Sequence, residues 1–500
     1  MSSAIMTATE LRELVRNALP AEESTEYGAP PPPHQFFVPK THARALNLNV
    51  PVVLGDRGTG KSYWWAALQS SPHRELLARF ASDTRIRRDT WVRPGFGKTL
   101  NLDSYPSKDV LAKLLANGHK PRLIWKTVAL RAFAREGQGL PNGDWSDRVA
   151  WLAANPEPAD RILQDTDRTL HTEGRDALLV FDALDEAADE REALFVLIEG
   201  LAQLALELRG SQHLRAKVFL RTDQFEDPRV GRFADASKLR ASTATLSWLT
   251  TELFGLLWQL LGNHPVLGSR YRQDLYLRFY QSRVKDRGMS PEQEREILLL
   301  TGAAEWTPPS EAQFDPKTQD LLFQRLAGRF MGESARKGFP YNWLPTHLAD
   351  AHGDISPRSF LTALSTAATH TAEHHPNHES AIHFRSLHAG VHEASRIRVA
   401  EMEEHHWVKP LLRPLAGSVG VPFDFADVEA IWKAENLLDD PEVRRAEIST
   451  QAIARDRLMQ LGVWRQMKTG RIDMPDIYRL GFGLARRGGV PLVKDGEVRQ

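Results

Sequence analysis

Apolar and polar positions fall into blocks of two different periods along this chain. Leu11, Leu14, Val15, Ala18 and Leu19 recur at helical spacing and predict a helix over 8–19. The run Ala29-Pro-Pro-Pro-Pro33 cannot be helical and predicts a stiff linker. A globular body begins near Phe36. Residues 49–54 (NVPVVL) read as a short buried strand, 177–181 (ALLVF) as a second, 217–220 (KVFL) as a third and 244–248 as a fourth. An edge strand is expected near 90–92. Helical spacing occupies 62–68, 108–116, 122–135, 146–153 and 187–207. Strands alternating with helices predict an α/β core with a parallel sheet covered on both faces. Beyond 249 the pattern turns helical, most strongly at 249–261, 291–300 and 358–368. The division expected is a helix and linker at 1–35, an α/β core with a helical insertion at 36–245, a helical domain at 246–375 and a second, mainly helical domain at 376–500.

Composition narrows the class. The chain has 500 residues, 42% of them hydrophobic, which is ample for several cores. It has no cysteine, which excludes disulfides, thiol catalysis and Cys-based metal sites and fits a reducing cytoplasm. Its 64 basic residues balance 64 acidic ones, which argues against a polybasic coat for nucleic acid. Arginine outnumbers lysine 48 to 16, a bias that a GC-rich genome explains. The start of the chain lacks a signal-peptide pattern and no run of about 18 apolar residues occurs, so no membrane association is expected.

The chemistry concentrates after the first strand. Gly55-Asp-Arg57-Gly58-Thr59-Gly60-Lys61-Ser62 fits the pattern G-x-x-x-x-G-K-[ST], with a strand before it and a helix after it. Glycines at 58 and 60 let the backbone curl so that its N–H groups point at phosphate oxygens, and the helix N-terminus adds its dipole. Lys61 is expected to reach the β- and γ-phosphates of ATP and Ser62 to ligate Mg²⁺. Asp182 closes the second apolar strand, the place of a Walker B carboxylate that completes the metal site. Asp185 and Glu186 follow, and one of them is expected to polarise the attacking water. Arg221 or Thr222, at the end of the third strand, could sense the γ-phosphate. Arg358, opening a helix at Ser356-Pro-Arg-Ser-Phe360, could act as a second sensor.

These motifs together resemble the AAA+/STAND division of P-loop ATPases. The form Asp182-Ala-Leu-Asp185-Glu186 is similar to the Walker B of NACHT and related signalling ATPases. The segments 218–223 (VFLRTD), 246–248 (LSW), 356–360 (SPRSF) and 474–478 (MPDIY) resemble a bacterial family met in defence-associated neighbourhoods. The resemblance spans roughly residues 36–490. It implies a RecA-like core, a helical lid over 246–375 and a winged-helix module in the C-terminal domain. It further implies ATP-dependent assembly, with a homo-oligomer or a separate effector protein as partner. In simple AAA+ proteins an Asp-Glu pair ends the strand, whereas Glu186 stands four residues beyond Asp182. Arg229 or Arg232 is the place such a family gives an arginine finger.

The resulting expectation is a cytoplasmic, Mg²⁺-dependent ATP-hydrolysing switch that controls oligomerisation or partner binding, in a setting of antiphage defence. The alternative is a DNA-acting loader or initiator-like ATPase. Residues 460–494 hold seven basic side chains against Asp473 and Asp476, and Gly481, Gly483, Gly488 and Gly489 are expected to form a wing that could reach DNA. Late histidines cluster, including the pair His388 and His392 at i and i+4, and solvated surface positions are the expected reading for them. Trp64, Trp65, Trp91, Trp125, Trp145 and Trp151 are expected to be core.

Overall fold

A computed structural model describes residues 5–19, 28–135, 141–231, 233, 235–283, 306–486 and 490–492. The chain divides into two compact units, one of Thr25–Ser247 and one of Met1–Ser24 together with Trp248–Gln500.

The first unit is built on a five-stranded sheet: β1 (Val52–Leu54), β2 (Trp91–Phe96), β3 (Ala177–Phe181), β4 (Leu214–Leu220) and β5 (Thr243–Thr245). Its order is β2-β3-β4-β1-β5, and every neighbouring pair is parallel. This is the P-loop sheet of RecA-like type, with β4 interposed between β1 and β3. Alternate residues of each strand enter different cores. Val52, Leu54, Leu179, Phe181, Val218 and Leu220 pack with the helices Pro121–Phe133 and Arg191–Leu208. Val53, Leu178, Val180 and Phe219 pack with the helices Lys40–Leu46 and Lys61–Gln69. Burial on both faces explains why these strands read as unbroken apolar runs. Lys217 breaks the rule. It lies on the Phe219 face with no exposed surface, and Nζ donates to the carbonyls of Ala45, Asn47 and Val50 at 2.9, 3.0 and 2.7 Å. It thereby satisfies carbonyls at the open end of the helix Lys40–Leu46.

Between β2 and β3 the chain forms four helices: Lys108–Ala116, Pro121–Phe133, Trp145–Ala154 and Pro156–Glu173. Trp125 and Trp145 are buried there and Trp64 and Trp65 are buried under the sheet, while Trp91 and Trp151 pack partly buried on the same core. The expected core role of the tryptophans is therefore met.

The second unit is helical. Its longest helices among the described residues, Pro357–His374 and Phe384–Ala400, pack against each other, and the N-terminal helix Ala8–Ala18 joins them. A capping box of Thr7 and Glu10 starts that helix. Arg12, 4% exposed, then donates to the carbonyls of Pro376, His378, Ser380 and Ala381. The helix expected at 291–300 lies outside the described residues.

Toward the end of the chain the helices Phe425–Ala434, Pro441–Arg445 and Gln451–Gln460 are followed by a hairpin of Arg465–Gln466 and Ile472–Asp473. Phe423 and Ile472 exchange backbone hydrogen bonds of 3.0 and 2.8 Å. Three helices followed by a hairpin have the element order of a winged helix, in which the hairpin 465–473 takes the place of the wing. The Phe423–Ile472 contact is an isolated bridge, and the preceding strand Gly420–Val421 pairs in parallel with Ala485–Arg486. Gly481 and Gly483 belong to a turn after the short helix Asp476–Arg479, and Gly488 and Gly489 lie outside the described residues. The turn of the hairpin 465–473 is Lys468-Thr-Gly470, where Gly470 adopts φ +84°.

Candidate nucleotide site

Strand β1 ends at Leu54, and the Gly55 amide donates to the Leu220 carbonyl on β4 at 3.1 Å. The loop then turns through Gly58 at φ +81° and Gly60 at φ +107°, conformations open to glycine and costly to other residues. A Cβ on Gly55 would meet Thr59 Oγ1 at 2.5 Å, so this glycine is required by close approach. Thr59 Oγ1 donates to the Asp56 carbonyl at 2.8 Å and ties the loop across its neck. Arg57 is exposed at the tip. Gly60 caps the helix Lys61–Gln69, whose first-turn amides have no partner within the helix and face the loop.

Lys61 Nζ donates to the carbonyls of Gly55 and Asp56 at 2.7 and 2.8 Å. Burial pulls its pKa below that of an ordinary lysine. The charges of Asp182, Asp56 and Asp185 oppose that shift and Arg221 adds to it. Two segments remote in sequence, 182–185 and 221, thus act electrostatically on one ammonium.

Asp182 is 2% exposed at the end of β3, and its amide donates to the Phe96 carbonyl at 3.1 Å. Ala183 follows at φ +53°, a left-handed conformation unusual for alanine, and a 3-10 turn covers Leu184–Glu186. That turn sends the two carboxylates to different neighbours. Asp185 is exposed and acts on Lys61. Glu186 lies 3.5 Å from Lys98 Nζ. Lys98 was not singled out in the sequence, and no motif marks it. Ser62, the second residue of the helix, is exposed to solvent. The Ser62 hydroxyl and the Asp182 carboxylate supply oxygen donors only, which suits a hard cation such as Mg²⁺.

Arg221 follows β4, and its guanidinium donates to both carboxylate oxygens of Asp223 at 2.9 and 3.0 Å. Thr222 opens the helix Thr222–Glu226. Arg229 sits 4.2 Å above the Phe195 ring and donates to both oxygens of Asp227 at 2.8 and 2.9 Å. Arg232 lies outside the described residues. Arg358 belongs to the second unit, where it donates to Glu401 at 2.5 Å and is half exposed.

The histidine pair at 388 and 392 is engaged rather than solvated. His388 stacks on Trp343 with ring centres 4.8 Å apart, and burial pushes its pKa down to about 4. The His392 imidazole bonds to the Pro491 carbonyl at 2.7 Å. The basic tail is largely consumed internally. Arg465 and Arg486 both bind Asp473, and Arg479, fully buried, binds Asp476 and the carbonyls of Leu484 and Val490. Arg471 binds the Pro422 carbonyl and lies 3.8 Å from Asp424, and Lys468 is exposed on the hairpin.

The sequence matches no family model and no curated protein. Among solved structures it is similar to Cdc6p from Pyrobaculum aerophilum, at 11% identity and a TM-score of 0.25 over 86% of this chain and 83% of that one. It is also similar to the ORC2 protein of Aeropyrum pernix, solved in ADPNP and ADP complexes, at 12% identity and a TM-score of 0.28 over 91% and 92% of the two chains.

Proposed function

We propose that this chain is a Mg²⁺-dependent ATPase of the AAA+ type that works as a nucleotide-controlled switch. The observation that carries this reading is the loop itself: Gly58 and Gly60 at positive φ between β1 and the helix Lys61–Gln69, Lys61 Nζ on the carbonyls of Gly55 and Asp56, and Asp182 buried at the end of β3. Lys61, now held on loop carbonyls, exchanges them for the β- and γ-phosphates. Loop amides at 58–62 hold phosphate oxygens, and Ser62 and Asp182 hold the metal. A Mg²⁺ held there by Ser62 and Asp182 would supply the positive charge that offsets developing phosphate charge. Asp185 orients and deprotonates the attacking water, while Glu186 stays with Lys98 on the outer side of the turn. Arg221 swings from Asp223 to the γ-phosphate and reports its presence. Sensing by Arg358, a finger contributed by Arg229 or Arg232, and a homo-oligomeric or effector-bound output complete the reading. The defence setting rests on the family resemblance alone.

The test is nucleotide affinity by calorimetry with Mg²⁺ present. Lys61→Ala is expected to weaken ATP binding or turnover on the order of 10²-fold or more. Unchanged affinity and turnover in that variant overturn the assignment. A second reading, a DNA-acting ATPase, draws on the winged-helix element order at 425–473. It requires DNA-stimulated hydrolysis that falls steeply with salt.

A further inference from the structure

The helix Lys61–Gln69 borders a cavity that the nucleotide site does not use. Lys61, Trp65 and Gln69 follow one another at four-residue steps along one side of that helix, and the last two line a cavity of about 360 Å³. By helix rise Gln69 stands about 12 Å from Lys61, which separates the cavity from the phosphate position. Gly28 of the linker and Thr99, Asn101 and Tyr105 of the loop after β2 contribute to its walls. All of these residues belong to the unit 25–247.

The walls are fixed by their own contacts. The buried Trp65 donates through Nε1 to the Val180 carbonyl on β3 at 3.3 Å, and a Cβ on Gly97 would meet its ring at 2.7 Å. Gly28, at φ +87°, approaches the same indole, and a Cβ there would meet it at 3.6 Å. The buried Tyr105 hydroxyl donates to the Thr99 carbonyl at 2.7 Å. Two carboxamides, by contrast, are each half used. Gln69 Nε2 donates to the Trp65 carbonyl at 3.0 Å, and Asn101 Oδ1 accepts from the Ser104 amide at 3.2 Å. Among the described residues nothing pairs with Gln69 Oε1 or Asn101 Nδ2, so the lining holds one open acceptor and one open donor. None of the described residues that line the cavity is charged.

We propose that this cavity binds an uncharged nucleobase, delivered as a free nucleoside. A base edge carries a donor beside an acceptor, the complement of the two open carboxamide halves, and Asn and Gln side chains read bases in this way. The flat apolar body of a base suits a floor of Trp65 and Tyr105. The volume falls within the roughly 300–1,000 Å³ of small-ligand sites. A triphosphate is disfavoured, because no cation in the lining offsets its charge. The loop that supplies Thr99 and Asn101 also carries Lys98, which lies 3.5 Å from Glu186. A bound base thus bridges the helix that bears Lys61 and the loop beside the turn after β3. Binding of the nucleoside does not depend on the chain hydrolysing ATP.

The experiment titrates the full-length protein with adenosine, guanosine, cytidine and uridine by calorimetry, up to millimolar concentration. Each titration is run with and without a nonhydrolysable ATP analogue and Mg²⁺. Saturable binding of at least one nucleoside, one per chain and unaffected by the analogue, is expected. Gln69→Leu removes the open acceptor at similar size and is expected to weaken that binding about tenfold or more. Asn101→Ala, on the loop, is expected to weaken it as well and decides the matter if a thermal melt shows Gln69→Leu to be unfolded. Displacement by the analogue places the nucleoside at the glycine loop and overturns the proposal. Absence of saturable binding for all four nucleosides overturns it too, as does binding that the folded variants leave unchanged.

Discussion

The two units of this chain differ in what their cations are tied to. In the unit 25–247 Lys61 rests on two carbonyls of the glycine loop within electrostatic reach of Asp182, Asp185 and Arg221, while Lys217 is enclosed by three carbonyls and Lys126 by the carboxylates of Asp160 and Glu207. In the other unit buried arginines serve as staples. Arg12 binds carbonyls of a loop some 370 residues away, and Arg479 ties Asp476 to the carbonyls of Leu484 and Val490. On the proposed reading the first arrangement leaves one cation, Lys61, that a phosphate can recruit, and the second commits its cations to holding segments together.

The sharpest way to break this comparison is at the turn after β3. Asp185→Asn is expected to lower ATP turnover by about 10²–10⁴-fold, the usual worth of a positioned base. Glu186→Gln, which loses only the contact with Lys98, is expected to cost less than about tenfold on the same scale. A steady-state phosphate-release assay of both variants checks this, and equal losses would remove the distinction between the two carboxylates.

Next in size is the removal of the enclosed lysine. Lys217→Met leaves three buried carbonyls without their donor and is expected to cost about 1–3 kcal/mol or more of unfolding free energy. Its pH dependence has a definite sign. Burial lowers the Lys217 pKa from 10.5 to about 7, so between those values the unfolded chain binds more protons than the folded one. Stability of this unit is therefore expected to rise with pH across that window, by at most about 1.4 kcal/mol per pH unit from this group. Denaturant melts from pH 7 to 10 test it, and Lys217→Met should flatten the slope.

The helical unit should show a slope at the other end of the scale. Burial lowers His388 from 6.5 to about 4, helped by His347, His392 and Arg385 and opposed by Asp476. The unfolded chain binds the extra proton between those values, so stability is lost as pH falls from about 6.5 toward 4. His388→Phe keeps a ring on Trp343 and removes the titration. It is expected to reduce the acid-induced loss, measured by tryptophan fluorescence, by a smaller amount than either effect above.

The same contrast explains what could be read from the sequence. The glycine loop, Asp182 and the sheet were legible because their signals are local: a six-residue spacing, an apolar run and a carboxylate at its end. Helix ends in the insertion, such as Lys108–Ala116 and Trp145–Ala154, fell within a residue or two of the spacing pattern. What was illegible is pairwise and distant. Nothing near Arg12 announces the loop at 376–381, and nothing near Lys98 announces Glu186. The basic tail misled because net charge counts residues without their partners, and Asp473 and Asp476 sit where they bind three of its arginines. The hairpin at 465–473 escaped notice because only one short turn, Lys468-Thr-Gly470, marks it.

The order of the chain through its two units has a practical consequence. The unit 25–247 is entered from the N-terminal segment and left at Trp248 into the same body, so it is a guest inserted into a host. Early and late parts of the guest are stitched to each other, with Thr41 Oγ1 donating to the Ser247 carbonyl at 2.7 Å and β1 lying beside β5. An insert closed on itself in this way carries its own core, so the segment 25–247 expressed by itself is expected to fold, with a cooperative melt by circular dichroism as the check.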